Sequence, residues 1–307
     1  MSVLRRLARS ILPYEVRLPI AVARRAWRDR RAGTAFAVQG RGRSRPAFEH
    51  GAYELRFIDY PGQEGLARAK RHNQRLLGQA LDGTVVRPGE TFSLWRLAGR
   101  PTAAAGYAAA AAIKGGRLTT DMGGSTCLLS TVMYNAALLA GMEIVERWAH
   151  SVDTYGDSRY FELGRDCSIE YGYRDLRFRN GFGYPVTVSV ELSDELVRVA
   201  IGADQPREFA VDLTVSEPIR EASPVRVVFD PGLRPGEERV IEPGYGGLCT
   251  STVRTLTWPD GTRREDDLGE SRHQSTPHVV ARAQEGGVHL HLPFVGGRHG
   301  RHRAVHR

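Results

Sequence analysis

A chain of 307 residues with 41% hydrophobic and 25% charged side chains has an ordinary globular balance, enough for one large domain or two smaller ones. Its net charge of +8 is almost all arginine, since Lys70 and Lys114 are the only lysines; that charge is spread along the chain instead of forming one stripe between aromatics, so nucleic acid is not an expected partner, while an anionic membrane surface or wall polymer suits it as well. Three cysteines, Cys127, Cys167 and Cys249, with no C-x-x-C pair exclude a disulfide framework and a structural zinc site of the usual spacing.

The odd cysteine count points to a reducing compartment. Up to Pro13 no apolar run is long enough for a signal core or a membrane span, so a cytoplasmic location is expected, with the membrane reached at most peripherally. Leu4, Leu7, Ile11, Leu18, Val22 and Trp27 recur among arginines at roughly helical spacing, interrupted by Pro13 and Pro19. This pattern predicts a basic amphipathic helix pair, packed on the core as an arm or laid on an anionic membrane. The polar, breaker-rich run Gln39–Pro46 reads as a linker.

From Gln63 to Leu81 the spacing of Leu66, Ala69, Leu76, Leu77 and Ala80 predicts a helix stopping near Gly83. Pro88-Gly89 is a turn ahead of a short strand, and alanine-rich 103–113, broken by Gly106, gives only a weak helical signal. Next, Gly123-Gly124 forms a tight turn, Ser125 or Thr126 can cap, and a nearly all-apolar helix runs to Gly141. A helix apolar on every face is buried. Glu143–Trp148 reads as a strand, with His150 just past its end. Alternation over Asp175–Arg179, Val186–Leu192 and Leu196–Ile201 predicts an antiparallel meander; Thr252–Trp258 and Val279–Arg282 are further strands.

The expected fold class is therefore α+β: a buried helix preceded by a Gly-rich turn, packed on an antiparallel β meander, with a smaller β-rich C-terminal part. The divisions read as a basic helical arm and linker (1–45), a core domain (46–205), a β-rich module (206–285) and a basic, histidine-bearing tail expected to be disordered (286–307).

One series of motifs resembles the VanW family. It comprises Pro88-Gly-Glu-Thr-Phe-Ser93, Gly99-Arg-Pro-Thr102, Gly106-Tyr107, Gly123-Gly124 through Cys127, Ser130-Thr131, Tyr134-Asn135, Glu146-Arg147, His150-Ser151, Leu163-Gly-Arg-Asp166 and Tyr171 through Asn180. Two positions depart from the family pattern: Ser125 stands at the usual third glycine, and Leu128 at the glutamine that follows the cysteine. The resemblance implies a link to glycopeptide resistance and the cell envelope, without a settled reaction.

The residues themselves suggest a chemistry. Cys127 at the first turn of a helix would have a lowered pKa, and His150 could activate it as a base and then protonate a leaving group. A carboxylate would orient the imidazole, with Asp175 the first choice and Asp166 the second. Gly123, Gly124, Ser125 and Tyr134 are assigned to substrate or oxyanion binding. The order of cysteine on a helix, histidine on a strand and then a carboxylate is similar to the papain, NlpC and transglutaminase layouts, a fold-level analogy that points to acyl transfer or amide hydrolysis on a small peptide or peptidoglycan-related substrate. No cofactor and no metal are implied: no phosphate loop is present, and Cys127, His150 and Cys167 lack a recognised metal spacing. Against this stand the plainer roles of Cys127 as core filling, His150 as a hydrogen-bonded strand end and Asp175 as a salt-bridged surface group. A non-catalytic, envelope-associated binding or scaffolding protein would also need no reactive thiol.

Overall fold

The computed structural model describes residues 12–39, 45–58, 64–114 and 117–283. Leu4, Leu7 and Ile11 of the expected arm, most of the linker and the tail from 286 lie outside them. Within them the arm is one helix, α1 (Tyr14–Arg31), with Pro13 at its N-cap and Pro19 inside it. A proline this close to a helix start removes one backbone hydrogen bond and need not break the helix. The face of α1 carrying buried Leu18 rests on the core, and Arg25 and Asp29 make ion pairs with Glu146 (2.6 Å) and Arg177 (2.7 Å).

The chain then runs through β1 (Phe48–Arg56), α2 (Glu64–Leu81), β2 (Thr84–Val86), β3 (Thr91–Ser93) and α3 (Leu94–Ala98). The periodicity that predicts α2 is expressed as burial, with Leu77 and Leu81 fully enclosed. The alanine-rich stretch is not helical beyond one 3-10 turn at Ala103–Ala105. Instead β4 (Ala109–Lys114) pairs antiparallel with β5 (Arg117–Met122). Alanine favours helix by less than about 1 kcal/mol per residue, a preference that strand pairing overrides.

Next comes α4 (Cys127–Leu139), buried at every residue from Leu128 to Leu138. Each large aliphatic side chain enclosed this way contributes about 1.5–3 kcal/mol. Its walls come from the meander. After β6 (Glu143–Glu146) and β7 (Arg177–Arg179), the strands β8 (Val186–Leu192) and β9 (Leu196–Ala203) join an antiparallel sheet of order β1-β9-β8-β2. Val186, Val188, Val197, Val199 and Ile201 alternate along it into the core, as period-two patterning requires. A smaller sheet, β3-β7-β6, stacks Phe92 on Phe178 with ring centroids 4.4 Å apart.

The remaining strands are β10 (Ala210–Val215), β11 (Ile219–Glu221), β12 (Val225–Phe229), β13 (Glu238–Glu242), β14 (Gly247–Thr257), β15 (Arg263–His273) and β16 (His278–Arg282). The chain divides into two compact units. One comprises Met1–Ser223 with Tyr245–Thr276 and contains the β10-β14-β11 sheet, with β15 paired to β14. The other comprises Pro224–Gly244 with Pro277–Arg307; in it β12 runs parallel and β13 antiparallel to β16. The fold is α+β with a β-rich C-terminal part. Among the described residues no helix is long and apolar enough to cross a membrane.

The C-terminal strands of the first unit reach the buried helix. Arg254 of β14, 1% exposed, donates to the carbonyls of Leu138 (3.2 Å) and Met142 (2.8 Å) while Asp266 balances its charge at 2.7 Å. Arg207 donates to the carbonyls of Leu139 and His50. The last carbonyls of a helix have no intrahelical partner, so these two guanidinium groups cap α4.

Candidate active site

The turn before α4 is built by close approach. A side chain on Gly124 would place its Cβ 2.2 Å from the Ala110 carbonyl oxygen, and Gly123 takes a φ of +72° with Pro101 against it. Ser125 adopts φ +64°, a left-handed conformation that costs an L-residue about 1–2 kcal/mol and accounts for a glycine preference at this position; its Oγ donates to the Ala111 carbonyl at 3.1 Å. Two buried amides of α2 fasten the turn. Asn73 donates to the carbonyls of Gly124 (3.0 Å) and Ala108 (2.9 Å), and Gln74 donates to that of Ser125. Neither amide was legible as a site residue, because both sit inside an otherwise ordinary amphipathic helix. The turn delivers Cys127 as the first residue of α4, half-buried, where the leading N–H groups lack intrahelical partners.

The polar residues of α4 form a second fastening. Ser130 Oγ donates to the Cys167 carbonyl at 2.7 Å, Thr131 Oγ1 accepts the Cys167 N–H at 3.0 Å, and Asn135 donates to the Arg165 carbonyl at 2.9 Å. Segment 165–167 is thereby held along the helix with Asp166 fully buried between. Arg147 donates to both the backbone carbonyl (2.6 Å) and Oδ1 (2.8 Å) of Asp166. The other oxygen, Oδ2, lies 2.7 Å from the backbone N and from Nδ1 of His150. With Nδ1 committed to Asp166, Nε2 is the ring nitrogen left to interact with Cys127, whose charge and that of the imidazole act on each other. His150 is 7% exposed and stacks on Phe161 at 5.7 Å.

Electrostatics follow from this chain of contacts. Burial alone would raise the Cys127 thiol, but the hydrogen bond and charge of His150, the Ile169 carbonyl contact and the charge of Arg174 bring it below the ordinary thiol range. Burial would depress His150, yet its hydrogen bonds to Asp166 and Cys127 push it up to about 10. Asp166, though desolvated, is held well below the usual carboxylate range by His150 and Arg147. The two shifts, thiol down and imidazole up, both run toward a thiolate–imidazolium pair. Cys167, by contrast, is pushed far above an ordinary thiol by burial.

Asp175 is not beside His150. It is buried at the start of α3, where its carboxylate accepts from Ser93 Oγ (2.6 Å), the Trp95 N–H (3.1 Å) and Arg177 Nε (2.9 Å). The orienting position therefore falls to the second choice, Asp166; alternation placed Asp175 on a strand but could not say which way its loop faced. Tyr134 is 1% exposed within α4, with the Arg147 guanidinium 5.1 Å from its ring centroid, which makes it support beneath Arg147 and removes it from any solvent-accessible surface. Leu128 is enclosed in the core and supplies no polar group.

Three further groups surround the site. Tyr160 packs edge-on against Phe161 at 5.0 Å and its phenol is held well above its ordinary range by burial, with the Cys127 charge adding to it. His273 of β15 stacks on Phe161 at 6.1 Å and approaches Asp166 Oδ1 at 3.9 Å; neither ring nitrogen has a hydrogen-bond partner among the described residues. Ser271 accepts from Arg147 at 2.7 Å. No local pattern links 271–273 to residues a hundred positions earlier. Among the described residues no cluster of three or more His, Cys, Asp or Glu side chains is disposed to hold a metal.

The family model described as VanW like protein matches residues 69–202. YoaR of Bacillus subtilis, an uncharacterized protein, is 35% identical over 121 residues, 39% of each chain. The vancomycin B-type resistance protein VanW of Enterococcus faecalis is 31% identical over 137 residues, 44% of this chain and 50% of that one. The match thus spans half or less of either curated relative. Two G5-domain structures, one from an IgA1 protease, overlay 26% and 25% of the chain at TM-scores of 0.21 and 0.17 and identities of 16% and 15%, too slight a likeness to bear on fold or function. The stretch of this chain that is similar to the VanW family, residues 69–202, holds the thiol, the imidazole and both aspartates.

Proposed function

We propose that this chain is a cysteine-dependent acyl-transfer or amide-hydrolysing enzyme with Cys127 as nucleophile, His150 as acid and base, and Asp166 as the group that orients the imidazole. One observation carries the reading: a fully buried carboxylate, pinned by Arg147, accepts from His150 Nδ1 at 2.7 Å and leaves the opposite nitrogen to the thiol at a helix start. A histidine serving only as a strand end would not need both a buried anion and a thiol.

The chemistry follows in two steps. The Cys127 thiolate attacks the amide carbonyl carbon, and the N–H groups at the start of α4 face the oxyanion that forms. As the C–N bond breaks, the imidazolium of His150 gives its Nε2 proton to the leaving amine. A thioester on Cys127 remains. Water or an acceptor amine then attacks it, losing its proton to His150 as the thiolate departs. Small peptides or peptidoglycan-related amides are the substrates this reading favours.

The test is the pH dependence of Cys127 alkylation by iodoacetamide in the folded protein. The midpoint should lie below the roughly 8.5 of a free thiol and rise in His150→Ala, which removes the imidazolium beside the thiolate, and in Asp166→Asn, which removes the carboxylate that keeps the imidazole protonated. A midpoint indifferent to both substitutions would leave a non-catalytic binding role as the better account.

A further inference from the structure

The arginines around the site differ in one respect. Arg147 is paired with Asp166, Arg159 with Asp153, Arg165 with Glu162 and Arg177 with Asp175. Arg174 has no carboxylate partner among the described residues. Its Nη1 donates to Ser168 Oγ at 3.3 Å and its guanidinium lies 5.9 Å from the ring centroid of Trp148, which is 46% exposed. Ser168 is itself fixed by its N–H to the Trp148 carbonyl at 2.7 Å. The next residue, Ile169, places its carbonyl oxygen 4.0 Å from Cys127 Sγ. A half-buried guanidinium without a carboxylate partner thus holds the residue next to the one that touches the nucleophile, beside a half-exposed indole ring whose N–H is donated to Glu146 at 2.8 Å.

We propose that Arg174, with Ser168 and Trp148, receives a carboxylate of the substrate, so that the amide cleaved or transferred at Cys127 lies close to a free carboxyl terminus. This deepens the reading of Cys127 as nucleophile and rests on it. A guanidinium fork matches a planar carboxylate in two parallel hydrogen bonds, and one guanidinium beside one hydroxyl suits a monoanion better than a phosphate dianion. The same positive charge also lowers the Cys127 thiol, so an arriving carboxylate would be held where it shields charge the site already concentrates.

Paired alkylation tests this with two probes of equal reach, iodoacetate and iodoacetamide, at low salt. The acetate-to-acetamide rate ratio at Cys127 should exceed that of free cysteine, fall about tenfold in Arg174→Gln, which corresponds to ~1.4 kcal/mol, and recover in part in Arg174→Lys. An unchanged ratio in Arg174→Gln, with both reagents still reacting, overturns the carboxylate site and leaves the nucleophile intact. A thiol inert to both reagents in the parent protein overturns the nucleophile, and the carboxylate site with it.

A second inference stands on α1 and is independent of the thiol. Opposite the face docked through Leu18, the helix leaves Val16 (46%), Ile20 (41%) and Trp27 (59%) exposed at spacings of four and seven residues, with Ala23 between them, also exposed. Arg24, Arg28 and Arg31 border this stripe, and Arg31 covers the Trp27 ring at 5.3 Å. The terminal segments 1–11 and 284–307 are arginine-bearing, so charge disfavours either as the cover. We infer that this face lies on an anionic lipid surface, apolar stripe inward and arginines at the headgroups. Flotation with phosphatidylglycerol-rich vesicles should carry the protein, phosphatidylcholine vesicles should not, and Ile20→Ser with Trp27→Ser should abolish the effect. No flotation, flotation that survives the double substitution, or a stripe found covered by a second copy of the chain would each overturn it.

Discussion

Two buried aspartates, nine residues apart, show how much a carboxylate's partners decide. Asp166 is fully enclosed and Asp175 is 2% exposed, and both accept from an arginine and a backbone N–H. Asp175's other donors are a hydroxyl and a second arginine, Arg25 at 3.5 Å; none can exchange its proton near neutral pH, and the group fastens α1, α3 and β7 to one another. Asp166 has His150 in that place, a donor that holds its Nδ1 proton toward the carboxylate and keeps a second, titratable nitrogen on the far side of the ring. Their titrations diverge accordingly. Burial outweighs the donors at Asp175 and raises it, whereas His150 and Arg147 overcome burial at Asp166 and lower it.

The contrast is most sharply broken by removing each carboxylate. Asp166→Ala leaves Arg147 buried and uncompensated and should cost about 3–5 kcal/mol in denaturant unfolding, together with a rise in the alkylation midpoint of Cys127. Asp175→Ala should be nearly as destabilising, but with that midpoint unmoved; a shift as large as that of Asp166→Ala would mean the two networks are one. Arg254→Met takes the guanidinium from the Met142 carbonyl and leaves that of Leu138 with only the Gly141 N–H at 3.1 Å, and should cost about 1–3 kcal/mol.

A pH series sharpens the difference further. A lowered carboxylate contributes stability that is present above its unfolded pKa near 3.9 and lost as pH falls through its folded value; a raised one does the opposite. The stability gap between the parent and Asp166→Asn should therefore widen from strongly acid solution toward pH 5, while the gap to Asp175→Asn narrows as pH rises through the folded Asp175 pKa. Parallel curves would refute the assignment. The smallest effect is expected at Ser125→Gly, where relief of the left-handed backbone offsets loss of the Oγ hydrogen bond and stability should change by less than about 1 kcal/mol.

Periodicity made the buried helix and the meander legible, because α4, β8 and β9 each obey one dominant pattern. The glycine turn also marked where Cys127 begins its helix. What stayed hidden was lateral. Asp166 and Asp175 have equal standing in one dimension, and only the fastening of 165–167 by Ser130, Thr131 and Asn135 turns the former toward His150. The strand at 109–114 escaped because its alanines carry no alternation to read.

The caps on α4 bear on how such a domain can be cut from its chain. Residues 69–202 match the family model, yet the arginines that close the helix's C-terminal end are Arg207 and Arg254, and the hydroxyl that steadies Arg147 is Ser271. Homology and autonomy have different borders here. A fragment trimmed to the matched stretch would keep the thiol, the imidazole and the aspartate but lose what anchors the far end of their helix. Its inertness would then measure a truncated scaffold, and would say nothing against the chemistry.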